Sequence, residues 1–313
     1  PVISGLMCTL FGWRAVFVVP LVGGIAVAAA GVKLVQNVGE RSNTTLDILS
    51  VVLLAAGITS FVYSVGEFST NLIASIVALF TAIVLLGLFA ARQLKLEHPV
   101  LNVRPMASVR FWPACLLVVV SMMTTFSMSV LLPLYFEGAY RMTALVAGLL
   151  ILPAIACNAV TSIVGGRVMD ARGAWPLLPV GFTLIAVGQT AISMTAASMN
   201  IGVVVALTVV VYAGVGLVLS PSQTAGLETL PAAEHPHGTA LLNTWNMIAA
   251  SFGPSLFIGL LSSSAATAGV AGAATDVAQA IGFAAAVRVA AAIAVVGFAT
   301  SLVYARRESH MSH

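Results

Sequence analysis

The chain has 313 residues, of which 60% are hydrophobic and 7% charged, with a formal net charge of +3. Soluble domains carry about 25% charged residues, so this composition excludes a water-soluble globule. Its 13 lysines and arginines, spread along the chain, exclude a nucleic-acid-binding patch, and a mean hydropathy of +1.07 requires lipid as the solvent.

Apolar runs of about 20 residues mark helices that cross a bilayer. The chain opens on Pro1 with no basic, short apolar leader. Residues 1–11 already read as the end of a span whose start lies upstream, so an N-terminally truncated chain is expected. Full spans follow at 15–36, 47–66, 71–91, 112–136, 144–168, 175–196, 201–222, 239–263 and 278–304. The connectors are Asn37–Asn43, Glu97–Pro105, Pro231–Pro236 and the Ala/Gly/Thr-rich stretch 265–275. The fold class is an all-α polytopic membrane protein with no separate soluble domain. Cys8, Cys115 and Cys157 lie in apolar runs without a C-x-x-C pair, which predicts free thiols.

Basic residues set orientation. With the C-terminus on face A, alternation of the spans puts Lys33, Arg41, Arg92, Lys95, Arg104, Arg110, Arg167, Arg172, Arg306 and Arg307 on that face. Only Arg14 and Arg141 fall on face B, and Arg288 lies inside a span. Face A is therefore expected to be cytoplasmic, in a multi-pass protein of the cell membrane.

The stretch GGRVMDARGAWP, Gly165–Pro176, concentrates charge after a long apolar run. Two readings compete. In one, Arg167 and Arg172 hold helix ends in the cytoplasm and Asp170 is merely solvated. In the other, Gly165 and Gly166 admit a neighbouring helix. Asp170 then pairs with an arginine or a helix N-terminus, and Gly173 permits a tight reversal.

This stretch resembles the loop signature G-x-x-x-D-R-x-G-R/K of the major facilitator superfamily in its second-half copy. Gly166, Asp170 and Gly173 match; Ala171 and Ala174 stand where the signature has basic residues. The opening PVISGLMCTLFGWRAVFVVPLVGG resembles the end of the antiporter motif G-P-x-x-G-G. Pro1 and Gly5 match and Ser4 replaces a glycine. The Trp-Arg turn of fourteen-helix drug/proton antiporters of the EmrB/QacA type follows, at Gly12, Trp13, Arg14 and Phe17. LEHPVLNVRPMASVRFW, Leu96–Trp112, resembles the connector after the extra helix pair of that family.

The resemblance implies a major facilitator fold from the end of helix five through helix fourteen. Residues 1–46 then belong to the N-terminal bundle (helices five and six). Residues 47–111 form the inserted pair and its connector, 112–304 the C-terminal six-helix bundle, and 305–313 a cytoplasmic tail. It further implies a secondary active transporter, a proton-coupled multidrug exporter working by alternating access. An inactive truncated relic, or an exporter or importer of one metabolite, are the alternatives. The expected partners are the bilayer and a small hydrophobic or cationic substrate, with no nucleic acid, no metal and no cofactor beyond the proton gradient as energy source; a monomer is expected.

Drug/proton antiport, as the resemblance implies, needs a carboxylate in the membrane, and none is central in these spans. Glu137, near the end of a span, is either a transport residue or a solvated helix end, and the coupling acid is expected in upstream helices. Arg288 sits mid-span, either paired with a carboxylate in a cavity or snorkelling outward. Thr124, Thr125, Met122, Met123, Phe126 and Met128 read as a greasy transport path or as helix packing, and Gln189, Tyr212, Asn243, Trp245 and Asn246 carry the same two readings. His235 and His237, flanking a proline, read as a solvated loop rather than a metal site. The spans hold no nucleophile–base set and no Walker loop, so neither an enzyme nor an ATP-driven pump is expected.

Overall fold

The computed structural model describes residues 2–34, 47–68, 71–96, 99–175 and 177–309, and its helices follow the apolar runs. In chain order they are α1 (Val2–Phe11), α2 (Val18–Leu34), α3 (Ile48–Gly66), α4 (Leu72–Lys95) and α5 (Phe111–Tyr140), then α6 (Ala144–Arg172), α7 (Leu177–Thr195), α8 (Ile201–Glu228), α9 (His235–Val270) and α10 (Thr275–Ser309). A short turn, Trp13–Phe17, runs into α2. Nine helices among the described residues are long and apolar enough to cross a membrane. Pro1, the Asn37–Asn43 connector and residues 310–313 lie outside the described residues.

Lipid offers no hydrogen bonds to backbone groups, and side chains cap the first turns of α4 and α8. Asn71 Oδ1 accepts from Ala74 N at 3.1 Å, and Asn200 Oδ1 accepts from Val203 N at 3.3 Å. Arg141, at φ 55°, turns the chain out of α5 in a left-handed conformation. Two stretches read as connectors are helical. Residues 265–270 continue α9, and His235–His237 open it, with His235 Nε2 3.1 Å from the Leu230 carbonyl. A carbonyl only accepts, so that nitrogen carries the proton.

Six helices make one bundle. α6, α8, α7, α10 and α9 form a ring in that order, and α5 closes it by packing on α9, α10, α8 and, more lightly, α6. Between apolar helices in lipid no hydrophobic force drives association, so close van der Waals packing must do so. Glycines on two faces of α8 supply it. A Cβ added at Gly214 would stand 3.1 Å from Ile185 N of α7, and one at Gly216 would stand 2.7 Å from Asn158 O of α6. Gly165 of α6 answers from the other side, 3.3 Å from Gly216 O by the same measure. At the face-B end, Tyr135 of α5 stacks on Phe283 of α10 with centroids 4.2 Å apart, and its hydroxyl donates to Ala196 O at 2.8 Å.

Two attachments flank the bundle. α1 packs on α6, and α3, paired with α4, packs on α9 through the Phe61–Phe252 ring stack at 5.5 Å. α2 contacts the turn before it and is exposed along nearly its whole length.

Gly216→Val is expected to destabilise the bundle by about 1–3 kcal/mol through overpacking, whereas Gly87→Ala, with open space around it, should leave it unchanged. Thermal unfolding in detergent reads the difference; equal midpoints for the two variants would refute the glycine seam.

Candidate functional site

The charged stretch of the sequence is mostly the last two turns of α6. Gly165–Arg172 is helical, and Gly173, at φ 74°, ends it by donating its N–H to Met169 O at 2.9 Å. The two glycines part ways: Gly165 meets the α8 backbone, and Gly166 faces open space. Arg167, Asp170 and Arg172 are all exposed, and none has an ion pair among the described residues. Ala174, where the signature has a basic residue, is 1% exposed against the α7 core; a long cation has no room there.

At the N-terminal end, α1 carries Ser4 and Gly5 in its helix and packs along α6. Gly12 at φ 81° breaks the chain direction after it. The Arg14 guanidinium then lies 4.9 Å from the centre of the Trp13 ring, a cation–π contact that anchors the turn.

The expected path residues do not meet at one point. Met122, Met123, Thr124 and Met128 of α5 are buried, Thr125 is half-buried with its hydroxyl donating to Ser121 O at 2.8 Å, and Phe126 is exposed. Asn246 is half-buried on α9. Gly253 of α9 abuts Met123 and Ser127, so Asn246, seven residues earlier, lies about 10 Å nearer face A than they do. Glu137 is exposed, three residues before α5 ends, about 18 Å beyond Thr125 along the axis. Arg288 is exposed beside the end of α7. Every aspartate and glutamate among the described residues lies within four residues of a helix end.

Sequence reasoning missed a polar clasp at face A. Asp47, which precedes α3, takes two hydrogen bonds from Arg92 of α4, Nε to Oδ2 at 2.7 Å and Nη2 to Oδ1 at 3.1 Å. Ser50 Oγ donates to Asp47 Oδ2 at 2.6 Å, and the buried Gln93 amide donates to Ser50 Oγ at 2.6 Å. Gln93 Oε1 accepts from Leu101 N at 3.1 Å, which fastens the connector to the pair. The connector's other end is held by Met106, whose sulfur accepts from Trp245 Nε1 of α9 at 3.4 Å. The one available signal was an acid at the start and an arginine at the end of paired spans. Gln189 is a second surprise: fully buried on α7, it finds no hydrogen-bond partner among the described residues for either amide atom.

The Arg92 guanidinium, and secondarily the Ser50 hydroxyl, hold the Asp47 carboxyl well below the usual carboxylate range. A lowered folded-state pKa contributes stability above the unfolded value, about 3.9, that is lost as pH falls toward the folded one. The stability difference between the native protein and Asp47→Asn is thus expected to stay constant from pH 8 to about pH 5 and to shrink only below about pH 4. Thermal midpoints across that range test it; a difference already gone at pH 6 would mean the clasp is not ionic.

With the geometry in hand, comparison with known proteins gives one family. Residues 1–254 match the profile described as Major Facilitator Superfamily. The chain is 31% identical over 265 residues to the lincomycin resistance protein LmrB of Listeria monocytogenes, which covers 84% of this chain and 56% of that protein. It is 31% identical over 306 residues to the MFS-type transporter YcnB of Bacillus subtilis, covering 96% of this chain and 64% of that protein. It is 23% identical over 259 residues to the riboflavin transporter RibZ of Clostridioides difficile, covering 82% and 56%. The chain thus spans between half and two thirds of the length of these relatives.

Proposed function

Because the chain belongs to the Major Facilitator Superfamily, we propose that it serves a secondary active transporter that exports small hydrophobic or cationic molecules by alternating access, driven by the proton gradient. Transporters of this superfamily place the substrate between two helical halves near the bilayer midplane. The observation that carries the reading is the seat of α1. The helix that ends in the Gly12–Trp13–Arg14 turn lies along α6, at the rim of a closed six-helix bundle. A rim helix of this kind is where one half rocks against the other.

The other parts follow from that reading. The α3–α4 pair is the insertion of the fourteen-helix drug/proton antiporters, held together by Asp47 and tied to the bundle through the connector at Gln93 and Met106. Face A, rich in basic residues, is cytoplasmic and carries the C-terminus. The Gly166–Gly173 segment, with Arg167, Asp170 and Arg172 exposed, is a conformational latch that pairs in one state of the cycle. The spans described here offer no central carboxylate, so the proton-carrying acid belongs to the share of the relatives' length that this chain does not span. The work is transport rather than catalysis, done by a monomer. The relative named for lincomycin resistance favours a drug as cargo; the one named as a riboflavin transporter favours a single metabolite as the second reading.

Everted membrane vesicles holding the intact protein are expected to accumulate ethidium when energised and to release it when an uncoupler collapses the proton gradient. Accumulation no greater than in vesicles lacking the protein would overturn multidrug export, and accumulation that survives the uncoupler would overturn proton coupling.

Asp170→Asn should slow that accumulation by at most about fivefold, the limit for an exposed ion pair, at unchanged membrane abundance. Unaltered uptake at equal abundance would rule out the latch.

A further inference from the structure

Arg288 lines a 440 Å³ cavity between α7 and α10, with Ser193, Met194 and Ala197 on one side and Ala284 and Ala285 on the other. Its depth follows from the register of the two helices. Phe182 of α7 abuts Gly297 of α10. Nine residues toward face B, Arg288 stands level with position 191 of α7. Its cavity neighbours, however, are residues 193, 194 and 197, a turn closer to face B. The side chain therefore leans toward face B, as the Cα–Cβ tilt toward the N-terminus of α10 dictates.

α7 and the turn after it span 22 residues, Leu177–Ser198, or about 33 Å, close to the roughly 30 Å of hydrocarbon in a bilayer. The guanidinium consequently lies in the face-B half of the apolar layer, against residues 193–197, within about 8 Å of where that span ends. α1 and α3 attach at α6 and α9, so the α7–α10 groove is on the opposite side of the ring, turned to lipid.

No carboxylate among the described residues lies within ion-pair distance of Arg288. The Ser193 hydroxyl spends its proton on Thr190 O at 2.7 Å and does not compete for an anion. Three alanines keep the cavity open, and Met194, 77% exposed, gives it an apolar flank. A cation at this depth needs an anion that arrives with hydrocarbon attached.

We propose that the α7–α10 groove binds one anionic phospholipid of the face-B leaflet, its phosphate held by Arg288 and an acyl chain lying along Met194 and the alanines. The site rests on the fold and on its place in the membrane, independently of what the protein transports.

Native mass spectrometry of the intact protein with phosphatidylglycerol tests it. The native protein should retain one tightly held lipid. Arg288→Gln should retain it about fivefold less, the effect of one basic residue at an anionic membrane surface. Arg288→Lys should keep part of it, since lysine still binds phosphate as a point charge. Ala284→Leu, which fills the cavity and leaves the charge, should lose it as well. Equal retention by native protein and Arg288→Gln, both folded by their thermal midpoints, would overturn the site. So would displacement of the lipid by inorganic phosphate at equal concentration, which would make it a free-anion site. Loss of ethidium uptake in Arg288→Gln with lipid retention unchanged would also overturn it and move Arg288 into the transport path.

Discussion

The bundle depends on how closely α8 approaches its neighbours. Gly214 and Gly216 lie two residues apart and face different helices, so α8 meets α7 through one and α6 through the other at near backbone contact. Asn158 fixes the α6 side with a hydrogen bond from its amide to Tyr212 O at 3.0 Å. In a solvent as apolar as the side chains, such contact is what holds helices together. The position of α6 in turn sets where α1 can lie, and the position of α7 sets which residues of α10 face the lipid groove.

Among the described residues, the buried polar side chains are serines, threonines and two glutamines. Ser121, Thr125 and Thr208 each donate to a carbonyl one turn back, at 2.8 Å. Hydroxyls of this kind are satisfied within their own helix, so they ask nothing of a neighbour. A glutamine has a donor and an acceptor at once and cannot do the same. Gln189, with Ser127 and Ser222, is left unpaired among the described residues, and each such group costs roughly 1–3 kcal/mol. The packing around α8 supports that cost.

Much of the fold was legible because span length and charge position are local properties. Each apolar run became a helix, and Arg92, Lys95 and Arg172 fall in the last turn of theirs. Composition misled at 265–270, where Ala, Gly and Thr read as loop. The helix continues because Gly282 of α10 lets Leu261 and Ala265 of α9 come so close that a Cβ added at Gly282 would stand 3.0 Å from the Ala265 side chain, so that each helix props the other. Gly165 and Gly166 could not be told apart without knowing which of them faces α8. The Asp47 clasp joins residues 45 apart in sequence, and hydrophobic periodicity carries no record of such a pairing. The depth of Arg288 depends on the mutual register of α7 and α10, which neither helix encodes alone. The expected path residues were legible as types, but their spread along five helices, α5 and α7 to α10, became visible only in the fold.

Prolines divide the six helices into two mechanical kinds. α5, α6, α8 and α9 each carry one in their interior, at Pro133, Pro153, Pro221 and Pro254. Each proline deletes a rung of the helical ladder and so lowers the bending stiffness at that level. α10 has no proline, and α7 has one only in its first turn, where no rung is lost. The two unbroken helices are adjacent and tied to α5 near face B through Tyr135. The bundle is thus a stiff pair of struts beside four jointed members, and a load applied to it bends the jointed side while the struts stand as the fulcrum.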